Sequence, residues 1–333
     1  MRDHYLQFPS DGLASAGTVV MDWNISARIE HIHRRQAAFA PLNLSSVEKS
    51  RLRNLALTMP ESAWVVGGMS AAEPETRRAP RPANIVRYLG RASAAQVYLS
   101  DARDYLLHLL DGGESGGLVI ESKDEAASDS FDYLHSWFMV SYSALITAAA
   151  IHAEVDLTRV ERVEKFRFWM ERELQVSASR EAWIGFQLLG GKKELPARAR
   201  RLLKLDRTGD PREAIWGATW DLMYTRLPAL MAQSALARHT RPPVVFITDD
   251  SGLAESLIGL KTVFLTQNAH GVELSGDHMH VELLHDDVQQ LVRDYINRER
   301  RRVLLHGRGM TMSVKRRAAY LARRAESRWT KPA

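Results

Sequence analysis

The chain has 333 residues, 45% of them hydrophobic and 26% charged, with a formal net charge of +5. That is enough apolar material for a real core, which excludes wholesale disorder, and the length suits one large domain or two smaller ones. The absence of cysteine excludes disulfides, thiolate catalysis and Cys-based zinc or iron–sulfur sites together.

The opening MRDHYLQFPSDGLASAG lacks the apolar core of a secretory signal. Ala16 to Met21 reads as a short buried strand ending just before Asp22, and Ile25 to Phe39 as a helix. A loop from Pro41 leads to a second helix, Ser46 to Met59, which Pro60 breaks. Ala63 to Val66 is the second strand, followed by Gly67-Gly68 and a helix start near Ser70. Glu73 to Pro82 is a Pro- and Arg-rich loop. Asn84 to Leu110 has a helical pattern, and the Gly- and acid-rich Asp111 to Ser130 predicts a flexible excursion. Helices follow at Phe131 to Ala153, Leu157 to Leu174 and Ala182 to Leu189. Gly190 to Asp210 reads as basic and loop-rich around Pro196.

Asp210 then caps a strong helix with Pro211 in its first turn. That helix runs to about Ala237, with a kink expected at Pro228. Val244 to Thr248 is a strand, Ser251 to Gly259 a short helix, and Lys261 to Thr266 one more strand. Strands alternating with helices predict an α/β fold with a parallel sheet. The longest apolar run, Trp137 to Ile151, contains Ser and Thr and is short for a bilayer. The expectation is a soluble, cytoplasmic protein that does not associate with membranes.

The charge is unevenly placed. From Asn297 to Ala333 there are twelve Lys or Arg against Glu299 and Glu326, a net of +10, which leaves the preceding chain at −5. Such a segment is either a polyanion-binding arm or a solvated, Arg-rich terminal helix.

In open parallel sheets, sites lie beyond the C-terminal ends of the strands. Asp22 holds that position after the first strand, and Asp249 and Asp250 hold it after VVFIT. Glu73 follows AWVVGGMSAA, and Asp221 sits in an apolar helical stretch. Like charges gathered at one rim repel by roughly 4 kcal/mol at about 4 Å and an effective dielectric of ~20. A divalent cation with hard oxygen ligands relieves that repulsion, and Mg²⁺ takes one or two carboxylates plus waters.

VVMDWN (Val19 to Asn24), GATWDLMYTRL (Gly217 to Leu227) and TDDSGL (Thr248 to Leu253), in that order, resemble the acid-bearing segments of PIN-domain nucleases. The KTVFLT strand fits their topology as well. The resemblance implies a PIN-like, Rossmann-like parallel sheet flanked by helices over residues 16–270. A large helical insertion would occupy about 77–210, and 271–333 would be a C-terminal extension carrying the basic arm. It further implies Asp22, Glu73, Asp221 and Asp250 as the acids, with Asp249 as auxiliary. Asp22, Asp221, Asp250 and Asp249 would hold Mg²⁺ or Mn²⁺, with Asn24 and Thr248 in support. Glu75, close behind Glu73 across Pro74, competes for the second acid position.

The expected function is a metal-dependent phosphodiesterase acting on RNA first and on single-stranded or structured DNA second. Phosphates would be gripped by Arg77, Arg78, Arg300, Arg301, Arg302, Lys315, Arg316 and Arg317. The resemblance also leaves room for a homo-oligomer and for an antitoxin-like regulatory partner. The alternative is a non-catalytic nucleic-acid-binding or scaffold protein with a degenerate acidic rim.

Each candidate has an ordinary reading beside the functional one. Asp22, Asp249 and Asp250 could cap the helices that follow them. Asp221 could form a salt bridge to Arg212, Arg226 or the insertion. Trp216, Trp220 and Tyr224, at i, i+4 spacing, form a core stripe or a base-stacking platform. His278 and His280 alternate on a strand as a metal pair could, but no HExxH signature accompanies them. DGGESGG lacks the Lys-Ser/Thr of a P-loop, and no GxSxG elbow is present.

Overall fold

A computed structural model describes residues 6–8, 13–22, 25, 44–58, 64–66, 110–111, 128–206, 208–233, 244–249, 251–257, 260–267, 273–306 and 312–329. The chain forms two compact units. The first takes Met1–Phe131 and Tyr224–Ser251, the second Asp132–Met223 and Gly252–Ala333. The basic segment after residue 271 thus belongs to the same unit as the helices between Asp132 and Met223.

The first unit is built on a sheet of β1 (Leu6–Phe8), β2 (Thr18–Met21), β3 (Trp64–Val66) and β4 (Val244–Thr248), in the order β1-β4-β2-β3. β2 is parallel to both neighbours, and β1 runs antiparallel along β4. Val19, Val20, Val245, Phe246 and Ile247 are all buried, the continuous apolar pattern of strands covered on both faces. Tyr224 stacks on Phe246, ring centroids 5.5 Å apart and nearly coplanar. Helix α1 (Ser46–Thr58) buries Leu52, Leu55 and Ala56 along one stripe. It opens with a capping box: the Ser45 hydroxyl accepts from the Glu48 N–H at 3.2 Å, and the Glu48 carboxylate accepts from the Ser45 N–H at 3.0 Å.

The second unit contains most of α2 (Ser128–His152), from Asp132 on, and α3 (Arg159–Phe168), which continues as a π-helical turn, Trp169–Leu174. Next come α4 (Ser179–Gly190), α5 (Leu195–Leu203) and most of α6 (Pro211–Gln233), which crosses into the first unit at Tyr224. The short α7 (Ser251–Ser256) precedes a two-stranded antiparallel sheet, β5 (Leu260–Gln267) with β6 (Glu273–Met279). Helices α8 (Asp286–His306) and α9 (Met312–Trp329) end the unit.

Its core is aromatic. Phe138 lies 4.7 and 4.8 Å from Trp216 and Trp220, and Phe186 meets Phe166 and Tyr295 edge-on. Trp216 and Trp220 are fully buried, so they are core rather than a stacking platform. The absence of a side chain at Gly185 lets α4 approach α3 closely: a Cβ there would stand 2.2 Å from Phe166 Cε1.

The α/β class with parallel strands is the observed one. Two expectations need correction. The stretch around Pro196 is helix α5, because Pro sits in its first turn, where no N–H is required. KTVFLT is a strand, but it pairs antiparallel with β6 rather than lengthening the four-stranded sheet. In addition, α2 starts at Ser128, inside the expected excursion, and α6 continues through Pro228. No helix among the described residues is long and apolar enough to cross a membrane.

Candidate functional site

The parallel register of β2 and β4 pairs Thr18 with Val244 and Met21 with Ile247. The two strands therefore end side by side. The Asp22 N–H donates to the Ile247 carbonyl at 2.9 Å, carrying the ladder one residue beyond β2. The Ile25 N–H then donates to the Asp22 carbonyl at 3.1 Å.

Asp22 is 2% exposed. Its carboxylate accepts a 2.6 Å hydrogen bond from the Thr248 hydroxyl, and Thr248 is itself buried at the end of β4. Burying an ionised carboxylate costs several kcal/mol unless hydrogen bonds or charge compensate it, and Thr248 supplies one such bond. Asp249 follows at once, part-buried, and its carboxylate accepts from the Arg51 guanidinium of α1. Among the described residues of the first unit, then, the C-terminal edge of two adjacent strands brings together Asp22, Asp249, the Thr248 hydroxyl and the Arg51 guanidinium.

Asp221 belongs to the second unit. It is 4% exposed on α6, with its carboxylate 3.8 Å from Lys204 Nζ. Lys204 ends α5 in a left-handed conformation, φ 54°, within the stretch expected to be the insertion. Of the ordinary readings of Asp221, an ion pair with the insertion is present. Asn24, Glu73, Arg77, Arg78 and Asp250 lie outside the described residues.

The histidines make a local arrangement. His278 and His280 stand edge to face, centroids 5.3 Å apart, and His280 Nδ1 lies 2.7 Å from the Glu282 carboxylate. A hydrogen bond from its own backbone and the contact with His280 hold Glu282 below the usual glutamate range. Among the described residues, no group of three or more His, Asp or Glu side chains is arranged to hold a metal ion.

The basic segment divides into two sets. Arg302 pairs with Glu299, Arg298 with Glu171 at 2.9 Å, and Arg324 with Glu173 at 2.6 Å, while Arg317 donates to Gln175 Oε1 at 2.6 Å. Three of these four partners, Glu171, Glu173 and Gln175, come from the π-turn or the residue that ends it. Arg300, Arg301 and Arg316 face solvent, and Lys315 is half-buried.

Arg51 and Lys204, the cations beside two of the candidate acids, carried no signal in the sequence. The Arg51–Asp249 pair spans 198 positions, and neither residue lies in a motif. No family model, curated protein or solved structure matches the chain.

Proposed function

We propose that the chain is a metal-dependent phosphodiesterase of PIN-like type, with RNA as the favoured substrate. The observation that carries the reading is the buried Asp22 carboxylate, held by the Thr248 hydroxyl where β2 and β4 end together. A sequence-distant acid and hydroxyl joined at a strand-end rim form the kind of arrangement in which α/β proteins carry chemistry. The donors fit a hard cation: carboxylate oxygens with few competing ligands suit Mg²⁺ or Mn²⁺.

In this reading Asp22, Asp249 and Asp250 of the first unit hold the ion, with Glu73 completing the acids and Asn24 supporting them. A bound divalent ion would polarise a phosphoryl oxygen and lower the pKa of an attacking water. The chain's own groups have separate tasks. Thr248 fixes the Asp22 carboxylate, and Arg51 neutralises Asp249 and aligns it.

A second reading is favoured by one observation. Asp249 already has a cation beside it, from Arg51. A rim neutralised in this way needs no metal, and the protein would then bind nucleic acid without cutting it.

The deciding experiment compares wild type with Asp22→Asn and Asp249→Asn on labelled single-stranded RNA and DNA, in Mn²⁺, Mg²⁺ or EDTA. Cleavage that needs metal and falls about 100-fold or more in both folded variants is the expected result. Metal-independent cleavage overturns the metal-dependent reading, and no cleavage by wild type gives the binding reading its place.

A further inference from the structure

We infer that the outer face of α9, formed by Arg316, Tyr320 and Arg323, is a binding surface for single-stranded polynucleotide. The inference rests on the proposed reading in one respect only, that the protein's ligand is a nucleic acid.

The helix sorts its residues by angle. Val314, Ala318, Leu321, Ala322 and Ala325 are buried and define the inner face. Arg317 and Arg324, seven residues apart on one flank, are held by Gln175 and Glu173. Arg316, Tyr320 and Arg323 fall at i, i+4 and i+7 on the side opposite the buried stripe, where neighbouring side chains meet. All three are exposed, Tyr320 by 57%. Among the described residues, neither Arg316 nor Arg323 makes a hydrogen bond or ion pair.

The intramolecular contacts therefore decide which cations remain for a ligand. Those beside the π-turn dock the helix, and the outward pair flanks an aromatic ring. Two guanidinium groups about a turn on either side of an exposed phenol match a strand's alternation of phosphate and base. The guanidiniums take phosphates, and the ring takes the face of a base. A duplex keeps its bases stacked inside and offers the ring nothing, so single strands are preferred. Charge complementarity supports this occupant: the segment from Asn297 onward carries +10.

The test measures binding by fluorescence anisotropy, with full-length protein in EDTA so that cleavage cannot interfere. The probes are short labelled oligouridine, oligothymidine and a duplex of equal length, with equimolar phosphatidylcholine–phosphatidylserine vesicles as a second polyanion. Wild type should favour both single strands over the duplex. Arg316→Ala/Arg323→Ala should weaken binding about tenfold and lower the salt slope by about 1.4, from two phosphate contacts at about 0.7 each. Tyr320→Ala should lose at least about fivefold and Tyr320→Phe almost nothing, because a phenyl ring still stacks.

Arg328→Ala, an exposed cation in the last turn of the same helix, should bind as wild type does. Circular dichroism melts check that the variants fold. Oligonucleotide binding unchanged by the face variants overturns the inference, as does equal loss on Arg328→Ala. Binding to vesicles but not to oligonucleotides overturns it in favour of a membrane surface. Cleavage is scored separately. Binding through this face without cleavage by any variant would reject the nuclease reading and leave the surface standing. Metal-dependent cleavage with unaltered binding by the face variants would do the reverse.

Discussion

At the scale of single residues, the Asp22–Thr248 bond has a measurable weight. Thr248→Val keeps the shape of the side chain and removes the donor to a buried carboxylate. Hydrogen bonds to charged groups contribute about 1.5–3 kcal/mol, so urea unfolding should show a loss of that size. Wild-type stability in this variant would mean that Asp22 is held by its other contacts.

Glu299 gives a pH prediction with a definite sign. Burial raises its pKa above the ordinary value of 4.5, against the opposing effects of the Arg302 guanidinium and the Ser177 hydroxyl. A carboxyl whose folded pKa is raised binds more protons in the folded state, so stability falls as pH rises from the unfolded value through the folded one. Glu299→Gln removes that titration. The stability of wild type relative to this variant should therefore decline as pH rises above about 4.5; a difference that is flat or grows with pH would contradict it. Asp22 and Thr248 were legible because an apolar strand that ends at an acid, or at a Thr followed by acids, is a local pattern. Arg51 and Lys204 were not, since an ion pair across a fold leaves no local trace.

At the scale of elements, two positions govern the packing of α3. The Thr158 hydroxyl accepts from the Glu161 N–H, and the Glu161 carboxylate accepts from the Thr158 N–H at 2.7 Å, closing a capping box. Thr158→Ala should cost about 1 kcal/mol. Gly185→Ala should cost more, because its Cβ would overlap the Phe166 ring, and overpacking a filled core costs about 1–3 kcal/mol. Chemical denaturation of both variants tests the order; a Gly185→Ala protein as stable as wild type would mean that Phe166 can move aside. Most helices were readable from apolar spacing. Helix α5 was obscured because Pro196 stands in a basic, Gly-rich stretch that reads as loop, although Leu195, Ala199, Leu202 and Leu203 make a buried helical stripe around it. The strand character of KTVFLT lay in its β-branched and aromatic residues, but its partner did not, because strand pairing is decided by segments outside the strand.

At the scale of the whole molecule, a genuine carboxylate site must link metal binding to stability. A ligand that binds only the folded state stabilises it by about 2.7 kcal/mol at one hundred times its dissociation constant. Mn²⁺ should therefore raise the melting temperature of wild type, and Asp22→Asn should abolish the rise. An equal rise in both proteins would place the ion elsewhere. The α/β class could be read from the alternation of elements. The division into two units could not, because each is assembled from two separate stretches of chain.

The same connectivity bears on how the protein is made. Asp22 and its hydroxyl donor are 226 positions apart. At the usual ~5–20 residues per second of synthesis, about 10–45 s pass between the appearance of β2 and that of β4. Throughout that interval β2 lacks the neighbour that covers one of its edges, and an uncovered edge of Val19 and Val20 is a template for pairing with other chains. A nascent chain of this protein therefore carries that open edge until β4 has left the ribosome.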